Sequence, residues 1–338
     1  MEYRLLGRTG VKVSSLCLGT MMLGTWGNPD HEESIRIIHR ALDAGINFID
    51  TADIYSDGES EEIVAKALSG GRRDNVVLAT KVHGSMGGHP NEGGNSRRWI
   101  LAEVESSLRR LKTDWIDLYQ IHRPEDETEI GETLSALTDL VRAGKVRYIG
   151  SSTFPASQIV EAQWVSRERR LERFVSEQPP YSILVRRIET DVLPTCARHG
   201  VSVMTWSPLA GGWLSGRYGR KGFAPTSRRA QSAPFDLTLA DNRRKLTAVQ
   251  ALTLLADEIG VTLIEMALAW VMNHPALTSA IVGPRTMDHL DSQLTATAVT
   301  LDASALDRID QIVPPGRTVS ALDDGFLNPA LEARMRRR

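Results

Sequence analysis

Ile116-Asp117-Leu118-Tyr119-Gln120-Ile121-His122 is a mostly apolar run that ends in one proton-active side chain. Its length suits a buried strand. A helical pattern follows at 130–143, with Leu134, Leu137 and Val141 on one face and Gly144 as its stop. Val146-Arg147-Tyr148-Ile149 then gives a second strand that ends at Gly150. Strand, helix and strand at this spacing make a parallel βαβ unit. The unit recurs in both directions. Forward, a helix at 156–167 leads to a strand at 174–177 ending at Gln178. A helix at 187–198 then leads to a strand at 201–205 ending at Trp206. The ends at His122, Gly150, Gln178 and Trp206 fall at equal intervals. Backward, strands at 15–18, 48–50 and 76–80 end at Gly19-Thr20, Asp50 and Lys81. Helices at 32–44, 60–68 and 96–111 lie between them, the last with Ile100, Val104, Leu108 and Leu111 on one face.

The ends of the chain complete the pattern. Residues 3–14 read as a hairpin around Arg8-Thr9-Gly10. After Trp206 a long stretch at 207–241 is rich in Gly, Pro, Ser and Arg. Helices at 242–259 and 262–273 follow, then a strand at 280–282, a helix at 287–296 and another at 304–312; 317–338 reads as irregular. Strands alternating with helices in this number fit an α/β fold, a (β/α)8 TIM barrel. It forms one domain over 1–338, with an N-terminal β-hairpin, a long loop after strand 7 and an extra C-terminal helix. The alternative is an open doubly wound sheet. Its Gly-x-Gly-x-x-Gly turn is missing, since Gly19-Thr20-Met21-Met22-Leu23-Gly24 does not fit the pattern.

Composition bounds the partners. The 338 residues are 41% hydrophobic and 24% charged, and Lys+Arg 40 nearly balances Asp+Glu 42, giving a net charge of -2. No global positive field draws in nucleic acid or an anionic membrane. The basic tail Arg334-Met335-Arg336-Arg337-Arg338 reads as a solvated end. Cys17 and Cys196 lie far apart in apolar segments without ligand spacing. Both are expected to be reduced core residues of a cytoplasmic protein, with no metal. The start has no signal-peptide pattern, and no apolar run is long enough to span a membrane.

In barrels of this type the chemistry sits at the C-terminal ends of the strands. Asp50, Lys81 and His122 end three consecutive strands. Parity puts Phe48 with Asp50, Val77 and Ala79 with Lys81, and Leu118 and Gln120 with His122. Tyr55, in the loop after Asp50, can reach over the same patch. A phenol titrates at about 10 in water, and a neighbouring ammonium is expected to lower that value. The carboxylate holds the ammonium, and a neutral imidazole can bond a ligand oxygen. Together they make a general acid suited to protonating an oxyanion. Each residue alone has a plainer role: Asp50 or Asp53 as turn formers, Lys81 or His122 as solvated loop residues, Tyr55 as packing. Met21, Trp26, Met86, Trp213 and the irregular tail at 317–338 could line a substrate cleft, or the methionines could simply pack.

Residues 46–55 (Ile-Asn-Phe-Ile-Asp-Thr-Ala-Asp-Ile-Tyr), Ala79-Thr80-Lys81 and Tyr119-Gln120-Ile121-His122-Arg123-Pro124 resemble signature segments of the aldo-keto reductases. The resemblance runs over essentially the whole chain. It implies a catalytic tetrad of Asp50, Tyr55, Lys81 and His122, with Tyr55 as general acid and hydride from NADPH. Gly150-Ser151-Ser152-Thr153-Phe154 stands where the family usually has Gly-Val-Ser-Asn-Phe. The resemblance therefore assigns Ser152, Thr153 and Gln178 to the nicotinamide carboxamide, and Trp206 to stacking on its ring. It also implies cofactor contacts from Gly19, Thr20 and Asp50. Ser207, Leu209 and Gly211 fall in a loop similar to the family's pyrophosphate-binding one, where small residues allow close backbone approach. Arg285, His289 and Gln293 fall in the adenosine-phosphate segment. Arg285 is placed to pair with the 2′-phosphate of NADP+. The polar loop at 86–95 suits a carbonyl substrate derived from a sugar. Trp206-Ser207-Pro208-Leu209-Ala210 also resembles the β subunits of potassium channels, which leaves a redox-sensing regulatory subunit as a second possibility. A Schiff-base aldolase using Lys81 is a third, in which Tyr55 and Trp206 have no role.

Overall fold

In the computed structural model, which describes residues 1–218, 235–326 and Met335, a hairpin precedes a closed parallel barrel. The hairpin pairs β1 (Tyr3–Leu5) with β2 (Lys12–Ser14). The barrel strands are β3 (Leu16–Gly19), β4 (Phe48–Asp50), β5 (Val77–Val82), β6 (Ile116–Ile121), β7 (Val146–Ser152), β8 (Phe174–Gln178), β9 (Ser202–Thr205) and β10 (Ser279–Val282). They follow one another around the ring, and β10 closes it against β3. This closure excludes the open doubly wound sheet.

The helices form the outer layer: α1 (His31–Asp43), α2 (Glu59–Ala67), α3 (Arg97–Leu111), α4 (Ile130–Arg142), α5 (Ala156–Arg169), α6 (Val192–His199), α7 (Ala240–Glu258), α8 (Leu263–Met272), α9 (Met287–Leu294) and the extra α10 (Ala303–Ile312). Helix α3 shows why they sit as they do. Ser96 caps it by accepting from Trp99 N, and Ile100, Val104, Leu108 and Leu111 all face the sheet, as their spacing predicts. Helix α8 begins at a capping box of Thr262 and Glu265.

Three details differ from the sequence reading, and a fourth expectation lies partly outside the described residues. The helix expected at 187–198 is split into a short 3-10 turn, Arg187–Glu189, and α6. Asp191 is non-helical and its side chain takes the Val192 N–H, so the helix restarts there; Pro194 fits its first turn, where no donor is needed. Lys81, expected just beyond its strand, lies inside β5, opposite Gln120 of β6. Of the long loop expected at 207–241, residues 219–234 lie outside the described residues, and α7 begins at Ala240. The tail expected to be irregular from 317 has order through 326: Thr318 bridges to Val185, and Ala321–Asp323 forms a 3-10 turn.

The barrel interior is layered. Cys17, Phe48, Ala79, Leu118, Met204 and Ile281 form an apolar band, and Leu6 and Val13 of the hairpin plug it from below. Gly7 makes that plug possible, since its φ is +59° and a Cβ there would lie 2.8 Å from Val175 O. Two residues further up each strand, the inward positions become Asp50, Lys81 and Gln120. The polar site thus rests on a dry floor. Cys17 and Cys196 are free and buried. Among the described residues no helix is long and apolar enough to cross a membrane.

Candidate active site

Lys81 is fully buried and spends all three ammonium protons. Its Nζ donates to Asp50 Oδ2 at 2.6 Å, to Thr51 O at 2.7 Å and to Tyr55 Oη at 3.0 Å. The third bond has a directional consequence. Tyr55 Oη accepts from Lys81 and donates to no described residue, so its own O–H is left for a ligand. Asp50 is held from the other side by Gln120 Nε2 at 3.1 Å and Gln178 Nε2 at 2.9 Å, both on Oδ1. The His122 ring stands edge-on to Tyr55 at 5.8 Å, and the Trp26 ring lies 6.1 Å from that of Tyr55. The four residues expected to meet therefore do meet.

The electrostatics correct one expectation. The Tyr55 phenol is raised above its usual value, not lowered: burial raises it most, Lys81 pulls it down, and the Asp50 carboxylate pushes it up again. Burial also opposes the Lys81 charge, yet Asp50 and Tyr55 outweigh it and the ammonium is held above its normal range. His122 is driven well below 6.5 by burial, then by Lys81, Arg123 and His83, so it is neutral. A general acid must be protonated to act, so activity is lost only as pH rises through its pKa. An activity that uses Tyr55 as its acid is therefore expected to persist through neutral pH and to fall only above about pH 10. A kcat/KM profile checks this; a falling limb near neutrality would contradict it.

Beyond β7 the chain turns sharply at Thr153, whose φ of 62° is costly for a β-branched residue. The asparagine usual in the family segment tolerates that region better. Here the turn is pinned from several sides. Thr153 N donates to Gln178 O at 3.1 Å, and Ser152 Oγ to the same oxygen at 2.9 Å. Buried Glu177 accepts from Phe154 N at 3.0 Å and from Ser151 Oγ. Burial pushes its carboxyl up to about 7, and those hydrogen bonds restrain the rise. Arg123 donates to Thr153 Oγ1, and Trp206 Nε1 approaches the same atom at 3.4 Å. Trp206 is half-buried, and the tail passes against it so closely that a Cβ on Gly325 would lie 2.9 Å from its Cζ2. Beside it is a cavity of about 210 Å³ bounded by Tyr181, Trp213, Phe235 and Leu322.

A family model described as "Aldo/keto reductase family" matches residues 15–314. The chain belongs to the aldo/keto reductase family. It is 41% identical over 329 residues to "Uncharacterized oxidoreductase YrpG" of Bacillus subtilis, covering 94% of this chain and 97% of that protein. A "Probable voltage-gated potassium channel subunit beta" of Arabidopsis thaliana is 36% identical over 322 residues, covering 93% and 97%. "Versiconal hemiacetal acetate reductase" of Aspergillus parasiticus is 34% identical over 345 residues, covering 93% and 98%.

Aldo/keto reductases use nicotinamide cofactors, and several features of this chain fit one. Gln293 Oε1 is buried with no partner among the described residues, an orphaned acceptor on α9. Thr286 caps α9 by accepting from His289 N at 3.3 Å. Around that helix start are Arg285, exposed, and Arg217, whose Nη2 lies 3.2 Å from His289 Nε2. Burial and then the two arginines hold His289 below its usual value. Two guanidiniums at a helix N-terminus suit a phosphate. Ser207, Ala210 and Gly211 have left-handed φ of 60°, 50° and 65°, which makes a concave backbone able to hold an anion; Ser207 Oγ accepts from Gly211 N at 2.8 Å. Half-buried Leu209 lies in the same loop.

Gly19 and Thr20, expected at the cofactor, also take part in the barrel's own bonding. Thr20 is buried, with its N–H and hydroxyl directed to Asp50 O and its Oγ1 also accepting from Ser60 Oγ at 2.8 Å. It fastens Asp50 to α2, and Gly19 beside it packs on Ile281. Trp213 is only 2% exposed and stacks on Phe235 at 5.2 Å, so it backs the site wall. Trp26, 48% exposed, keeps its ring 6.1 Å from that of Tyr55, Met21 is 41% exposed, and Met86 is half-buried on the core. Gln120, Arg123 and Arg217 were missed as site residues. Gln120 shares the inward parity of His122, and Arg123 follows it directly, so both had a usable signal. Arg217 lies in the irregular stretch after Trp206, where no period assigns a direction.

Proposed function

We propose that the protein is an NADPH-dependent reductase of aldehydes or ketones, reversible, with Tyr55 as the proton donor. The observation that carries this reading is the Lys81 ammonium, bonded at once to Asp50 and to Tyr55 Oη. The bound cofactor supplies the hydride. The protein does the rest. Tyr55 O–H and the neutral His122 bind the carbonyl oxygen and stabilise the negative charge that develops there. Tyr55 gives its proton to that oxygen, and the adjacent Lys81 charge stabilises the phenolate left behind. Asp50, locked by Gln120 and Gln178, keeps Lys81 in line. Trp206 and the Ser152-Thr153 turn hold the nicotinamide, and the loop from Ser207 the pyrophosphate. The buried reduced cysteines fit a cytoplasmic enzyme, and the polar loop at 86–95 fits a polar, sugar-derived carbonyl compound.

Purified protein is expected to oxidise NADPH in the presence of 4-nitrobenzaldehyde, followed by the loss of absorbance of the reduced nicotinamide. Preference for NADPH over NADH is assigned to Arg285, with Arg217 beside it. Arg285→Leu is expected to raise the KM for NADPH roughly tenfold or more and to leave that for NADH nearly unchanged, since one charge-assisted bond to the 2′-phosphate is lost. Equal effects on both nucleotides would contradict that role. A redox-sensing regulatory subunit with slow or no turnover is the second reading. It is supported by relatives from three organisms that bear the name of potassium channel β subunits. Tight nucleotide retention without turnover, together with a membrane partner on purification, would favour it.

A further inference from the structure

Arg123 is a cation at this site that proton delivery does not use. It follows His122 directly, and its guanidinium carbon lies 5.5 Å from the centre of the Trp206 ring. One N–H goes to Thr153 Oγ1. The guanidinium is near enough to act electrostatically on the Tyr55 phenol. Among the described residues no carboxylate forms an ion pair with it. The candidates are engaged elsewhere. Asp50 holds Lys81. Glu177 accepts from Ser151 and Phe154. Glu125 accepts from Asn95 N and Thr128 and lies 3.7 Å from His83. Glu177 acts on Arg123 electrostatically but forms no ion pair with it; with Lys81 compensated by Asp50 and His122 neutral, Arg123 is a cation at the mouth with donors still open. A half-buried guanidinium with spare donors beside an indole suits a carboxylate or phosphate oxygen pair.

We propose that Arg123 is a specificity-determining residue: it receives an anionic group, carboxylate or phosphate, carried by the same substrate whose carbonyl oxygen is bound by Tyr55. The proposal rests on the carbonyl-reductase reading and narrows it to anion-bearing aldehydes and ketones.

The test compares 3- and 4-carboxybenzaldehyde, ionised at assay pH, with 3- and 4-carbamoylbenzaldehyde, which have the same shape, no charge and a more electron-withdrawing group, so a preference for the carboxylates cannot come from carbonyl activation. Wild type, Arg123→Met and Arg123→Lys are assayed at saturating NADPH, and NADPH affinity is measured separately by fluorescence. Wild type is expected to favour a carboxylated aldehyde in kcat/KM. Arg123→Met is expected to reduce that preference roughly tenfold or more, mainly through KM, because the contact holds the substrate before and during reaction. Arg123→Lys is expected to restore part of it. An unchanged preference in Arg123→Met would overturn the proposal. So would a parallel loss on all four aldehydes with weakened NADPH binding, which would make Arg123 a cofactor contact. If wild type reduced none of the aldehydes, the reductase reading would fail. Calorimetry with benzoate would then still decide the anion site: weaker binding in Arg123→Met supports it, and equal binding overturns it.

Discussion

Tyr55→Phe is expected to lose roughly 10²- to 10⁴-fold in turnover, the range for removing a positioned general acid. The change deletes one oxygen. The ring still packs against Trp26 and His122, so nucleotide affinity and fold should be retained. The loss should be mainly in kcat, because the proton is needed only as charge develops on the carbonyl oxygen. The raised phenol makes this loss clear to read. At neutral pH the hydroxyl is protonated in essentially every molecule, so no fraction of the activity depends on its titration. Rates for Tyr55→Phe close to wild type would remove Tyr55 from the chemistry.

Lys81→Met is expected to cost both activity and stability. Methionine fills much of the same volume but donates nothing, so Asp50 Oδ2, Thr51 O and Tyr55 Oη lose their shared partner. Removing one member of a buried ion pair costs on the order of 3–5 kcal/mol. Gln120 and Gln178 still hold Asp50 Oδ1, which should keep the loss toward the lower end. Turnover should fall roughly a hundredfold or more, because the phenolate formed at Tyr55 loses its neighbouring charge. Urea denaturation separates the two effects. The double variant Asp50→Asn with Lys81→Met should be more stable than Lys81→Met alone, since it removes the uncompensated carboxylate. If the double variant were less stable than the single one, the pair would not be coupled as described.

Much of this was legible in the chain itself. Strand and helix periods differ, so the alternation shows directly. The even spacing of His122, Gly150, Gln178 and Trp206 identifies a repeating unit without any knowledge of contacts. Parity then orients Asp50, Lys81 and His122 into the barrel, because side chains two apart on a strand share a face. What escaped depends on three-dimensional burial or on backbone strain. The direction of the Tyr55 shift depends on how much water the fold removes, which spacing does not encode. The left-handed Thr153 is imposed by Gln178 and Glu177 on the neighbouring strand, against its own preference. Asp191 interrupts a helix whose periodicity runs on past it. The bonds that Thr20, expected at the cofactor, makes to Asp50 and Ser60 depend on the fold that seats it there.

The central claim is that this site delivers hydride and proton to a carbonyl group repeatedly. The most direct test supplies NADPH deuterated at the transferable nicotinamide position, with 4-nitrobenzaldehyde in large excess over protein, and follows the alcohol by mass spectrometry. The expected result is many equivalents of alcohol per protein, each with one deuterium on the carbinol carbon, and almost none from Tyr55→Phe. Retention of the nucleotide with no more than one equivalent of labelled alcohol would contradict it and favour a regulatory subunit.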